Sequence, residues 1–290
     1  MTVHAYLLLS CGLIALALAG SGCETSIDPF EETNVRFSVF GYLDVSADTQ
    51  FVRVSELRES IFLTDELDAV VVLEEVSGDT RTELRDSLLT FTSGARVHAP
   101  WTAVPIVPSS TYRLSVIASD GSAASATIQT PAPSPEPFLN AGVTEASNAM
   151  NPPNLQAISI PGVEKLADLR IEYVLAETGS RVTVSYLDQV RRDANGVLQL
   201  GFDAYADVQR QVTGGTAGFC PALESAEVFI ATTTDAWPDF ALIDLERLVL
   251  PGTVSNVEGG LGFVGGVATQ RRPWLALTLA FSINQASCQL

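Results

Sequence analysis

Short aromatic and β-branched runs, each ended by a turn signal after about ten residues, constrain this chain most, because they suit compact sheets and leave little room for long helices. Arg36–Leu43 and Gln50–Val54 alternate apolar and polar side chains with period two. Ala69–Leu73 is continuously apolar, as in a strand buried on both faces. Thr111–Val116 alternates and leads into Asp120-Gly121, a tight hairpin signal, with Ser125–Ile128 returning. Residues 35–130 are therefore expected to form an immunoglobulin-like or fibronectin-like β-sandwich.

Thr130-Pro131-Ala132-Pro133-Ser134-Pro135-Glu136-Pro137 interrupts this pattern. Alternating prolines fix φ and remove backbone donors, so 131–137 is expected to be an extended, semi-rigid linker. Residues 138–290 then form a second β-rich domain with one short helix. Its expected strands include Leu169–Leu175, Arg181–Leu187 and Glu227–Ala231, with Asn195-Gly196 as a tight turn. The cleanest alternation in the chain is Trp274–Ile283, expected to be the best strand. Asp235–Leu248 is expected to be the helix, with Asp235 as N-cap, Pro238 in the first turn and Pro251-Gly252 beyond its end.

The start of the chain sets its address. An apolar run from Leu7 to Ala19 precedes Gly20-Ser21-Gly22-Cys23, followed by Glu24, Asp28, Glu31 and Glu32. The run is too short to span a bilayer comfortably and fits a secretory signal. Residues 1–22 thus read as a lipoprotein signal peptide, Cys23 as the lipidated first residue of the mature chain, and 23–34 as an acidic tether. The alternatives are ordinary signal cleavage after Ala19 and an uncleaved anchor, and every version exports the chain. A net charge of −18, from 34 acidic and 16 basic residues, argues against nucleic-acid partners and against electrostatic docking on anionic lipid. Lys165 is the sole lysine. Cys11 lies in the signal and Cys23 at the lipidation site, which leaves Cys220 and Cys288 as a candidate disulfide in an oxidising envelope. Such a bridge would close a loop of roughly 70 residues and contribute about 4 kcal/mol on the chain-entropy model; two reduced, buried thiols are the alternative.

Reactive constellations are sparse. Gly260-Leu261-Gly262-Phe263-Val264-Gly265 matches the GxGxxG pattern, but a dinucleotide turn must leave a strand and open a helix. Here Gln270-Arg271-Arg272-Pro273 follows, so the glycines are expected to serve a strand, bulge or sharp bend, and no nucleotide is expected. His98 is the only histidine after the signal, set in what reads as a loop edge, and a lone histidine makes a weak triad candidate. Asp235 and Asp239 would share one face of the expected helix, where capping and solvation account for them. Asp65-Glu66-Leu67-Asp68 could offer oxygen ligands to calcium, without EF-hand spacing. Trp101 and Trp237, each beside a proline, are either exposed anchors for a ligand or core aromatics at a domain edge. No catalytic residue, metal site or cofactor is expected.

Cys23-Glu24-Thr25-Ser26-Ile27-Asp28 followed by Val39-Phe40-Gly41-Tyr42-Leu43 resembles the opening of an uncharacterised bacterial lipoprotein family, a domain-of-unknown-function group often encoded beside TonB-dependent receptors. Val254–Gly266 is similar to that family's near-terminal motif, an Asn before a glycine-rich turn, here Asn256 with Gly259, Gly260, Gly262, Gly265 and Gly266. The resemblance implies an outer-membrane lipoprotein, an accessory to nutrient uptake with a TonB-dependent receptor as partner, and no known substrate. The sequence as a whole reads as a non-catalytic binding or accessory module anchored through Cys23. The rivals are a structural spacer or adhesion-type envelope protein and a carboxylate-dependent hydrolase.

Overall fold

The computed structural model describes residues 35–57, 66–94, 96–141, 156–213, 222–239, 253–275 and 277. Before the proline segment lie β1 (Phe37–Asp44), β2 (Gln50–Glu56), β3 (Ala69–Glu75), β4 (Arg81–Glu83), β5 (Leu88–Thr90), β6 (Arg96–His98), β7 (Trp101–Thr102), β8 (Thr111–Ala118) and β9 (Ala123–Gln129). After it come β10 (Phe138–Ala141), β11 (Gln156–Ile160), β12 (Lys165–Leu175), β13 (Arg181–Ser185), β14 (Arg191–Arg192), β15 (Leu198–Phe202), helix α1 (Ala204–Thr213), β16 (Leu223–Thr233), β17 (Val257–Glu258) and β18 (Gly260–Pro273). The protein is mostly β, and its strands assemble as β-sandwiches.

One nine-stranded sheet runs β13-β12-β16-β18-β1-β2-β6-β5, with β7 also on β2. It supplies a layer to each of two cores. At one end Phe37, Val39, Leu43, Val52 and Val54 pack against Val71, Leu73, Tyr112, Leu114 and Ile128 of the five-stranded sheet β17-β9-β8-β3-β4. At the other end Leu169, Ile171, Tyr173, Val228 and Ile230 face Ile158, Ile160, Leu200 and Phe202 of the four-stranded sheet β10-β11-β15-β14, with Ala204 and Val208 of α1 in the same core.

The boundary expected at 131–137 is crossed by the long strand β18. Its first half pairs in parallel with β1, from Phe37↔Gly260 to Asp44↔Val267, and its second half pairs antiparallel with β16, from Thr233↔Val267 to Glu227↔Pro273. The first sandwich is therefore completed by residues from beyond the prolines: Val257 and Val264 are buried in its core. The proline segment itself has no regular pairing but is docked, since Gln270 Nε2 donates to Ser134 Oγ and the Pro135 carbonyl, both at 2.6 Å.

The glycine-rich motif is the start of β18 rather than a turn throughout. Gly259 has a positive φ of 67° before the strand begins, and Gly262 sits at φ 116° where a Cβ would collide with the Val39 carbonyl of β1. Because β16 reaches only to Val267, the backbone groups of β18 before that point need other partners on that side. Asn256 supplies them: its backbone N–H donates to the Gly262 carbonyl, its Nδ2 donates to the Val264 carbonyl at 2.8 Å, and its Oδ1 accepts from Val264 N–H at 3.0 Å. Thr233 Oγ1 donates to the Gly266 carbonyl at 2.7 Å.

Two expectations are corrected. Asp235 and Ala236 form a turn and Trp237–Asp239 are irregular, so the helix expected from Asp235 does not start there; its remainder lies outside the described residues. Trp274 is not in a strand and Leu275 and Leu277 are helical, while 278–283 lie outside the described residues. Trp274 and Leu277 are both buried in the second core, so apolar residues one helical turn apart face inward together. The helix that does form, α1, is capped by Asp203, whose Oδ1 accepts from Ala206 N–H at 3.0 Å. Cys23, Cys220 and Cys288 lie outside the described residues.

Candidate functional site

Alternation along β1 sends Phe37, Val39 and Leu43 into the core and leaves Phe40 and Tyr42 on the opposite face of the large sheet, 45% and 52% exposed. Phe51 on β2 is opposite Tyr42 and 49% exposed. Register extends the row sideways. Phe40 stands between Arg53 of β2 and Phe263 of β18, and Phe51 lies between Tyr42 and Trp101 of β7, its ring 6.4 Å from the indole centroid.

Trp237 closes the row at its other end. Its ring lies over Gly265, where a Cβ would come within 2.5 Å of it, and meets the edge of Phe263 at 5.3 Å and 84°. The absence of a side chain at 265 is what lets the indole rest on the sheet. The turn that carries Trp237 is held by the sole lysine: Lys165 Nζ donates to the Trp237 carbonyl at 2.7 Å and lies 3.8 Å from Asp239. Six aromatic rings thus line one sheet face across β18, β1, β2 and β7.

Two arginines lie on these rings. Arg53 stacks over Phe40 at 6.0 Å, and Arg85, bridged to Trp101 through the backbone, stacks over its indole at 5.5 Å. The carboxylate at the end of the face, Asp44, is taken: it accepts from Thr269 N–H at 3.2 Å and Thr269 Oγ1 at 2.5 Å.

The face brings together both tryptophans singled out in the sequence, each half-buried and in neither core cluster. The other candidates are structural or dispersed. His98 is buried at the end of β6, a strand and not a loop edge, with Nδ1 2.8 Å from Asp86 Oδ2. Asp68 accepts from Ser119 Oγ at 3.0 Å and is engaged by Arg36 at 2.7 Å, and the Ser119 bond first, then Arg36, holds its carboxyl below the usual range. Asp65 lies outside the described residues. Asp168 on β12 is raised by partial burial, against the pull of Arg170 at 3.3 Å. Among the described residues no group of three or more metal-ligating side chains converges, and no helix is long and apolar enough to cross a membrane. Asn256, Gly259, Gly260, Gly262, Gly265 and Gly266 build the strand beneath the face.

Clefts are present among the described residues. One of about 550 Å³ lies beside the proline segment, lined by Ser109, Gln129, Pro133, Glu164 and Asp235 among others; Ser109 has a positive φ of 55°. Another, of about 450 Å³, adjoins Trp237 and includes Lys165, Asp188 and Arg192.

No family model matches the chain, and no curated protein matches it. Similar solved structures include the FN1–FN3 domains of chicken CNTN1, at 14% identity and a TM-score of 0.31, covering 68% of this chain and 58% of that one. Two pullulanase structures from Anoxybacillus sp. LM18-11 align at 10% and 11% identity with TM-scores of 0.22, covering 68% of this chain and 24% of theirs; one holds maltotriose. The chain thus spans little more than half of the CNTN1 fragment and about a quarter of the pullulanases.

Proposed function

We propose that the protein is an exported, lipid-anchored envelope protein that works by binding, with the aromatic face of the large sheet as its recognition surface. The observation that carries this reading is the contiguous row Trp237, Phe263, Phe40, Tyr42, Phe51 and Trp101, three of them about half exposed on a rigid sheet. Exposed contiguous apolar area of this kind marks an interaction site more often than chance exposure does. Cys23 is the acylated anchor after removal of 1–22, and the outer membrane is the site of action. An accessory role beside a TonB-dependent receptor, implied by the family resemblance, makes that receptor the first partner to test. Cys220 and Cys288 form a disulfide in this setting, read directly by non-reducing peptide mapping.

Intact mass and pull-down from detergent-solubilised outer membranes test the proposal, using the tagged wild-type protein, Cys23→Ala and a Phe40→Ser/Phe51→Ser pair. Acyl mass on the wild type, absent from Cys23→Ala, with a receptor that co-purifies and is lost from the Phe pair, supports it. Unacylated wild-type protein rejects the anchor, and a partner retained by the Phe pair rejects the face.

A further inference from the structure

Resting on that reading of the aromatic face as a recognition surface, we infer that its partner is a protein segment presenting carboxylates among apolar side chains. Shape comes first. Small-molecule sites are concave and enclose most of the ligand, whereas these rings stand on one face of the large sheet, across four of its nine strands. Such a surface suits a macromolecule.

Composition narrows the class. Aromatic residues and arginine are enriched at the centres of protein interfaces, and Lys, Asp and Glu are depleted there. The outward positions of β1, β2 and β7 here are Ser38, Phe40, Tyr42, Phe51, Arg53, Ser55 and Trp101, with the engaged Asp44 at the margin. In a chain with 34 acidic residues against 16 basic ones, the row as formed by the described residues is basic and free of available carboxylate.

Ion pairing along the same sheet identifies what is missing. On β12, β13, β16 and β18 arginines meet acids: Arg170 with Asp168 at 3.3 Å, Arg271 with Glu227 at 3.0 Å, and Arg181 with Glu172. Arg170 and Arg271 also lie over a ring, that of Phe229, and still find an acid, whereas among the described residues Arg53 and Arg85 have an aromatic ring beside them and no ion pair. A guanidinium beside a ring and without an acid partner has N–H groups to offer, and its fork of donors matches a carboxylate in two parallel hydrogen bonds. A second copy of this chain docked through the same face would bring two more arginines and no free carboxylate among the described residues, because an isologous contact repeats one patch on both sides and so leaves the guanidiniums without acids. The occupant is therefore a different chain that brings its own acids.

Selection of a random dodecapeptide display library on the immobilised mature protein tests this, followed by affinity measurement of synthetic enriched peptides. The variants are Phe40→Ser/Phe51→Ser and Arg53→Gln/Arg85→Gln, all at exposed positions, with thermal melting as the control for folding. Expected are peptides in which Asp or Glu neighbours aromatic or aliphatic residues. Their affinity falls about tenfold or more in both variants, and the salt dependence of binding weakens in the Arg pair. Peptides that lose affinity in the Phe pair but keep it in the Arg pair overturn the acidic partner and leave the face standing as a binding surface. Peptides indifferent to both variants, or no enrichment at all, overturn the partner and the face together. Alginate that competes at the face more strongly than any peptide replaces the protein partner with an anionic glycan and overturns the inference.

Discussion

Asn256 does the work of a missing strand with a single side chain. Its amide donates to and accepts from Val264, the two bonds that a neighbouring strand would make, at a residue that is fully buried. Truncation leaves a buried N–H and a buried carbonyl without partners, so Asn256→Ala is expected to lower unfolding free energy by about 2–4 kcal/mol in urea denaturation. Asn256→Asp keeps the acceptor and loses the donor, and should fall between the two. The sequence already marks Asn256 and its glycines as one structural unit. What it does not show is that the unit is a strand, because glycine is among the poorest strand formers and the close approach of the Val39 carbonyl to Gly262 and of the Trp237 ring to Gly265 becomes visible only with the neighbours in place. Phe40, Tyr42 and Phe51 sit in runs whose alternation is legible, yet which of the two faces is covered depends on β8 and β9 packing across from them.

At the scale of elements, hairpins were legible and helices were not. Asp120-Gly121 and Asn195-Gly196 form the turns their chemistry demands, with Gly121 and Gly196 at φ 87° and 80°. Asp193 strengthens the second: its Oδ1 accepts from Val197 N–H at 2.9 Å and Asn195 N–H at 2.8 Å, and these bonds hold its carboxyl below the usual range, the Val197 bond most of all. A carboxylate depressed in the folded state stabilises at pH above its unfolded value of about 3.9, and that contribution is lost as pH falls through the lower folded value. Asp193→Ala should therefore lower the denaturation midpoint at pH 7, with a gap from wild type that closes as pH falls below about 4. Helix α1 and the Asp235 segment carry similar start signals, Asp203 and Asp235. At the first, Ala204 and Val208 find buried positions and Asp203 caps the turn, so Asp203→Ala should cost about 1 kcal/mol, read as lost stability in chemical denaturation. At the second, the bond from Lys165 to the Trp237 carbonyl and the seat of the indole on Gly265 hold a turn, and tertiary contact overrides the local preference.

The whole molecule departs furthest from its reading as a string of two domains joined by a spacer. Strand signals identify segments but not partners, and the partner that completes the first sandwich lies far along the chain: Asp44 is bonded to Thr269, 225 residues away. Without β18, Phe37, Val39 and Leu43 would sit on an exposed edge strand whose backbone lacks its parallel neighbour. Residues 35–137 alone are therefore expected not to fold as an independent sandwich, although their length would suffice for one. Expressed as a fragment, 35–137 should show no cooperative thermal transition and little amide dispersion by NMR, while residues 35–290 melt in one transition in which both cores are lost together. Adding a peptide of residues 253–273 in trans should restore dispersion to the fragment, because that segment carries Asn256, Val257 and all of β18. A fragment that melts cooperatively near the temperature of the full chain would show that β18 only decorates a self-sufficient sandwich. The shared sheet also bears on the aromatic face: Phe263, Gly265 and Trp237 come from one side of the proline segment, and Phe40, Tyr42, Phe51 and Trp101 from the other. The full row thus exists only when β18 is paired with β1, and a fragment that folded without it would still lack Phe263 and Trp237, two of the six rings proposed to bind.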